Sequence, residues 1–139
     1  MKKLRLKPPL PVYRTESQEQ ILLFRLIDMH MLRYPDLQMV YAVPNGGYKL
    51  PPQTIGRLTK EGLRRGYPDI NCDVAKHGFH GLRIEMKSQD PARKASDEQQ
   101  EWRRKLLSQG YACELCHGYS AAWRVLTAYL DIGHLAKYF

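Results

Sequence analysis

The chain has 139 residues, the length of one domain with little room for a second. Hydrophobic residues make up 43% and aromatic residues 10% of the sequence, a composition that excludes a disordered chain and predicts a globular domain with a normal core. The 22 Lys and Arg residues outnumber the 14 Asp and Glu residues, and the net charge of +8 favours a polyanionic partner such as nucleic acid over a merely soluble basic protein.

Cysteine usage and hydropathy predict a reduced, cytoplasmic, intracellular protein without membrane contact. Cys72, Cys113 and Cys116 form an odd set with no disulfide pattern, no apolar leader is visible, and the apolar runs are far shorter than the ~20 residues that cross a bilayer. Cys113 and Cys116 have C-x-x-C spacing, but no second Cys/His pair accompanies them. We therefore expect no zinc, since strand positions three apart point to opposite faces.

The N-terminal part predicts a basic, proline-rich arm over residues 1–14 and a helix over residues 15–33. The arm is either a phosphate contact or a frayed terminus. Thr15 and Gln18 form a capping-box pattern at the start of the helix. Glu19 lies on the apolar stripe of this helix, where a carboxylate is costly without a cation or donors. The alternative is a first-turn Glu that faces water and favours the helix dipole, and Glu16 is the neighbouring acidic competitor.

The next segments predict a first strand over residues 37–43, a tight turn and a second helix over residues 54–65. The turn contains Asn45 and Gly46, and its glycines either let the backbone approach a ligand closely or belong to a plain loop. Gly66 occupies the position expected of a glycine that ends the second helix. Positive charge accumulates just before the next strand, at Lys60, Arg64 and Arg65.

Two alternating segments, over residues 68–74 and 82–87, predict adjacent strands joined by a hairpin. Asp69 falls on the polar face of the first strand, and Glu85 and Lys87 fall on the polar face of the second. The hairpin brings Asp69 and Glu85 together on one sheet face, although alternation alone does not fix the register.

The C-terminal part predicts a helix over residues 96–108, a strand over residues 111–116 and a helix over residues 120–130, followed by a tail. Gln99 is either the capping-box partner of Ser96 or a donor that reaches into a site, because it shares a stripe with Trp102 and Leu106. The full order is α, β, α, β, β, α, β, α. It predicts an α/β fold with a mixed sheet of about four strands flanked by helices.

The polar sheet face predicts a divalent cation site. Mg²⁺ prefers oxygen ligands, and Asp69, Glu85 and the backbone carbonyl of Met86 would supply three. Lys87 would hold the attacking water and stabilise developing charge, and Glu19 would act on an ion through a water. The alternative is a salt-bridged polar face in which Asp69 or Glu85 pairs with Lys87 or Arg83.

The ordered set of motifs resembles the VRR-NUC domain of the PD-(D/E)xK nuclease superfamily. The motifs are Gly66-Tyr67-Pro68-Asp69, Ile84-Glu85-Met86-Lys87, Glu19 in the first helix, Asn45-Gly46-Gly47, and Ser96-x-x-Gln99-x-x-Trp102. The resemblance covers residues 15–130, with 1–14 as an arm and 131–139 as a tail. It implies the restriction-endonuclease-like core and a DNA nuclease that uses Mg²⁺, with Mn²⁺ as a substitute. The implied catalytic residues are Glu19, Asp69, Glu85, Lys87 and Gln99.

The stand-alone length resembles the small bacterial and phage members of that family, which look like Holliday-junction resolvases of DNA repair. Such an enzyme cuts two symmetric strands of branched DNA, so a homodimer is the simplest design. DNA contacts are expected from Lys60, Arg64, Arg65, Asn45 and Gly46. Two alternatives stay open: a monomeric nuclease of the same fold acting on flapped, nicked or linear DNA, and a non-catalytic DNA-binding protein.

Overall fold

The computed structural model describes residues 7–44 and 50–139 and contains a four-stranded mixed sheet in the order β1-β2-β3-β4. The pairs β1-β2 and β2-β3 are antiparallel, and the pair β3-β4 is parallel. This sheet confirms the predicted α/β class. The strands are β1 (Val40–Ala42), β2 (Ile70–Cys72), β3 (Leu82–Lys87) and β4 (Ala112–His117).

The described residues form four α-helices, three of which pack on the two faces of the sheet. The first and the last helix pack on one face, and the third lies against β4 on the other. Within the described ranges, no helix is both long and apolar enough to cross a membrane. The helices are α1 (Glu16–His30), α2 (Pro52–Lys60), α3 (Asp97–Ser108) and α4 (Tyr119–Tyr129), and short 3-10 helices span Pro35–Met39 and Gly133–Ala136.

The core lies between the sheet and the α1/α4 layer. Leu23 and Ile27 of α1 and Trp123 of α4 pack against the apolar side chains of β2 and β3, such as Ile70 and Ile84. Every residue of β3 is buried, because helices cover both of its faces. Glu85 and Lys87, the charged residues near the end of β3, are therefore shielded from bulk water although they belong to the polar face of the strand.

The predicted first strand is wrong in its first half. Residues 35–39 form a 3-10 helix, and the strand begins only at Val40. Pro35 fixes φ at a helix-compatible value, and the amide of Leu37 donates to the carbonyl of Tyr34. Leu37 lies in this helical turn and its side chain is buried in the core, so its apolar character does not indicate a strand.

The predicted ends of two helices also need correction. The second helix ends at Lys60, not at residue 65, and Gly62 follows it with φ of 108°, the role that the sequence suggested for Gly66. At its N-terminus, α4 begins at Tyr119, one residue before the predicted start at residue 120, and its N-cap residue is Gly118, with φ of 87°. The error at the end of α2 arises because Gly62 and Gly66 both follow the helix and both satisfy the same local rule for a helix-ending glycine.

Candidate active site

Asp69 and Glu85 lie opposite each other at the end of the β2-β3 pair. Ile70 pairs with Ile84 in the antiparallel register, and one step further brings Asp69 across from Glu85. The two carboxyl groups are within hydrogen-bonding reach of each other, and Asp69 Oδ2 also accepts a hydrogen bond from the Met86 amide at 2.9 Å. The hairpin thus produces the convergence that the alternation left open.

Gln99 of α3 ties together the two charged side chains of β3. Its Nε2 donates to Glu85 Oε1 at 2.5 Å, and its Oε1 accepts from Lys87 Nζ at 3.0 Å. Lys87 Nζ also lies 3.5 Å from Glu85 Oε1. The same Gln99 oxygen accepts from the Ser96 amide at 2.9 Å, so Gln99 is both the capping residue and a donor to the cluster.

The electrostatics of the cluster are set first by burial and then by the closeness of two carboxyl groups. Burial, followed by the charge of Asp69, raises the pKa of Glu85 to about 9, and Lys87 acts in the opposite direction. Apart from the neighbouring Asp69 carboxyl group, no hydrogen-bond partner among the described residues reaches the buried Glu85 Oε2. A bound cation would therefore offset the negative charge of the two carboxylates and could contact Glu85 Oε2.

These residues fit a magnesium-type ion. Asp69 and Glu85 supply carboxylate oxygens, and Met86, which directly follows Glu85 in β3, lines the neighbouring cavity together with Asp69. In residues 7–44 and 50–139, no three His, Cys, Asp or Glu side chains form a metal-binding group. An ion here would thus combine two carboxylates with backbone oxygen and water, a donor set that hard cations accept.

The two acidic residues in the first turn of α1 lie in different places. Glu19 is fully buried; its Oε2 accepts from the Tyr119 amide at the start of α4 at 2.9 Å, and its Oε1 lies 3.6 Å from Arg14. Glu16 Oε1 lies 3.9 Å from Lys87 Nζ. Of the two candidates, the structure places Glu16 beside the cluster and Glu19 at the N-terminus of α4.

The predicted alternative, a salt-bridged sheet face, applies to only part of the site. Lys87 does pair with Glu85, but the Arg83 guanidinium lies 3.1 Å from Asp73 Oδ1 at the other end of β2. Arg83 Nε also donates to the Tyr67 hydroxyl at 3.1 Å. Arg83 thus contacts Asp73 and Tyr67, away from the cluster, and Lys87 is the cation that lies beside Glu85.

Comparison with known proteins bears on the fold. No known protein-family profile matches the chain, and no curated protein matches it. A solved structure described as a VRR_NUC domain protein is similar over 88% of this chain and 93% of that chain, with 24% sequence identity and a TM-score of 0.70. The chain has the VRR-NUC fold. This likeness agrees with the resemblance carried by the sequence motifs.

The predicted DNA contacts sit on the part of the VRR-NUC fold that precedes Asp69. Lys60 is exposed at the end of α2, and Arg64 and Arg65 are exposed in the following connection. Trp102 of α3 donates through Nε1 to the Arg65 carbonyl at 3.0 Å, which fixes this connection against α3. The remaining two predicted contacts, Asn45 and Gly46, lie outside the described residues.

A cavity of about 510 Å³ opens beside the cluster, between α1 and β1. Asp69 and Met86 form its end nearest the cluster. No local sequence pattern indicates this cavity, because its walls are far apart in the chain and its width depends on how α1 packs. The remaining wall is mainly apolar and includes Gln20, Ile21, Phe24, Ala42, Val43 and Pro44.

Proposed function

We propose that the protein is a metal-dependent endonuclease that hydrolyses phosphodiester bonds in structured DNA. One observation carries the proposal: Asp69, Glu85 and Lys87 converge at the end of the β2-β3 pair, where Gln99 hydrogen-bonds to both Glu85 and Lys87. The VRR-NUC fold supports it, and with it membership of the PD-(D/E)xK superfamily, with residues 15–130 as the nuclease domain.

Asp69, Glu85 and the Met86 carbonyl would hold Mg²⁺, or Mn²⁺ in its place. When bound, the ion would neutralise charge on the phosphoryl oxygens and ease departure of the leaving oxygen. Lys87 would orient the attacking water and donate to a phosphoryl oxygen as charge develops there. Gln99 would keep the Glu85 and Lys87 side chains in one geometry. Water adds to phosphorus, the bond from phosphorus to one ester oxygen breaks, and the products are a phosphate monoester and an alcohol.

The family resemblance implies an acidic group from α1 as well, and two candidates are present. Glu19 is the residue that the family resemblance implies, acting through a water. Glu16 is the residue whose carboxylate lies 3.9 Å from Lys87 Nζ. We propose that one of these two carboxylates completes the site, and paired substitutions described below separate them.

The net charge of the chain supports the proposed substrate class. A net charge of +8 favours DNA, and Lys60, Arg64, Arg65, Asn45 and Gly46 are the proposed contacts. We propose a homodimer that acts on four-way junctions in the manner of a Holliday-junction resolvase, because two identical sites related by a two-fold axis can cut two symmetric strands.

One panel tests the proposal. The protein is incubated with four-way-junction, flap, nicked and linear duplexes in Mg²⁺, Mn²⁺ or EDTA, and the cuts are mapped while light scattering gives the oligomeric state. We expect paired symmetric incisions in the junction with either metal, none in EDTA, and a dimer. A monomer that cuts flaps or nicks would support the monomeric alternative. DNA binding with steep salt dependence and no metal-dependent cutting would contradict the enzyme assignment.

A further inference from the structure

The geometry points to a nucleobase site in the cavity between α1 and β1: an unpaired base of the DNA enters it while the adjoining phosphodiester lies on Asp69 and Glu85. This inference rests on the proposed nuclease function and adds the feature of the DNA that is selected. It predicts that cutting occurs beside an unstacked nucleotide, as at a branch point or flap, and not within an intact duplex.

The size and lining of the cavity suit a flat, amphipathic group. Its volume of about 510 Å³ falls within the range of about 300–1,000 Å³ that is usual for small-ligand pockets. Ile21, Phe24 and Val43 provide apolar surface for the faces of a base. Ser17 and Gln20 provide polar groups that can hydrogen-bond to its edge.

The position of the cavity selects a base over other apolar groups. Asp69 and Met86 line the cavity and also belong to the carboxylate cluster, and Glu16 links the cavity wall to Lys87. A nucleotide carries its base and its phosphate on one sugar, so a base in the cavity brings a phosphodiester to the cluster. An apolar side chain of a protein partner carries no such phosphate and gains nothing from the net charge of +8.

The energy of unstacking explains why this site would select DNA structure. A base must leave its stack to enter the cavity, and the cost is smallest where the base is already unpaired. Base–aromatic contacts can then offset that cost, and Phe24 of α1 is an aromatic residue in the wall. Selectivity for branched or flapped DNA would therefore come from the cavity, and bond hydrolysis from the cluster.

Two changes remove the same interaction from opposite sides. On the DNA, the nucleotide next to the mapped cut is replaced by an abasic analogue, which keeps the sugar and the phosphates. On the protein, Ala42→Trp fills the cavity from β1, where Ala42 is exposed and a larger side chain does not disturb the core. The matched control is Met29→Trp, because Met29 is 75% exposed on the same helix as Ile21 and lies about 12 Å further along its axis.

We expect the abasic analogue to slow cutting by the parent about tenfold, and Ala42→Trp to slow cutting of normal DNA to the same extent. Ala42→Trp should cut abasic and normal DNA at equal rates, whereas Met29→Trp should match the parent on both. A general loss of structure would slow both substrates in proportion and leave the abasic effect intact. Equal cutting of normal DNA by Ala42→Trp and the parent would overturn the inference.

A binding measurement keeps the inference testable apart from catalysis. A duplex with one unpaired 2-aminopurine is mixed with protein in Ca²⁺, and fluorescence reports the unstacking of that base. We expect an increase with the parent and with Met29→Trp but not with Ala42→Trp. Failure of the parent to cut any DNA would count against the proposed function, whereas an equal fluorescence increase with all three proteins would count against the base site alone.

Discussion

Gln99 shows how one side chain serves both a helix and a site. Its oxygen accepts from the Ser96 amide and from Lys87 Nζ, and its nitrogen donates to Glu85. The sequence predicts the cap, since the capping box is a local pattern, and offers the donor role as an alternative. That both hold depends on where the first turn of α3 packs relative to β3, which no local pattern specifies.

The raised pKa of Glu85 predicts that the stability of the protein in EDTA depends on pH. The pKa of Glu85 is raised from 4.5 to about 9, so its contribution to stability is fully present below pH 4.5 and is lost as the pH rises towards 9. The free energy of unfolding should fall over this window by at most about 1.4 kcal/mol per pH unit. Urea unfolding at several pH values measures it.

Glu85→Gln is the matched variant for that experiment, because it keeps the shape and the hydrogen-bonding oxygen but removes the titration. Its stability should be flatter than that of the parent between pH 5 and 9. Mg²⁺ should raise the stability of the parent most at the alkaline end, because Glu85 is ionised there and its negative charge lies close to that of Asp69. A parallel decline in parent and variant would contradict the pKa assigned to Glu85.

Glu16 and Glu19 are separated by substituting each with alanine. Glu16 is exposed, so Glu16→Ala should leave stability within about 0.5 kcal/mol and slow cutting about tenfold through loss of a partner to Lys87. Glu19→Ala should cost about 2 kcal/mol, because the partly buried Tyr119 amide loses its acceptor. Cutting rates and urea unfolding on the same samples decide between them. Abolished cutting at unchanged stability in Glu19→Ala would make Glu19 the site carboxylate that the family resemblance implies.

At the scale of the elements, the connection before Asp69 is positioned by its contact with α3. Gly66 has φ of 84°, and a Cβ there would lie 2.7 Å from the backbone carbon of Glu98. The Tyr67 ring packs edge-on against Trp102 with ring centroids 5.1 Å apart. Gly66 is thus required for the close approach of this connection to α3. The sequence pattern instead predicted that Gly66 ends the second helix.

Gly66→Ala should destabilise the protein by about 1–3 kcal/mol, since it adds a backbone clash to a strained φ. It should also slow cutting, because the displaced connection carries Asp69 away from Glu85 and Gln99. Gly62→Ala is the control: φ is 108° there, but no atom lies within 4 Å of the added Cβ. The control should lose about 1 kcal/mol and keep its cutting rate. Equal loss of activity in both variants would show that strain alone, and not the contact with α3, matters.

The whole molecule was predictable where its architecture follows from local periodicity. Alternation in residues 68–74 and 82–87 identifies the hairpin, and the order of elements identifies the mixed sheet. The 3-10 helix at residues 35–39 was not predicted, because a short apolar run is compatible with both a helical turn and a strand. The cavity could not be predicted from the sequence, because it is a space between α1 and β1 whose width depends on how these two elements pack.

The central claim is that the converging carboxylates hydrolyse DNA with a divalent cation. The most direct test compares Mg²⁺-dependent cutting by the parent, by Asp69→Ala and by Asp28→Ala, a control that removes an exposed carboxylate from α1. Binding of the same DNA in Ca²⁺ is measured alongside. Asp69→Ala should lose at least about a hundredfold in cutting rate while its fold and DNA binding persist, and Asp28→Ala should match the parent. Cutting by Asp69→Ala at the rate of the parent would contradict the account.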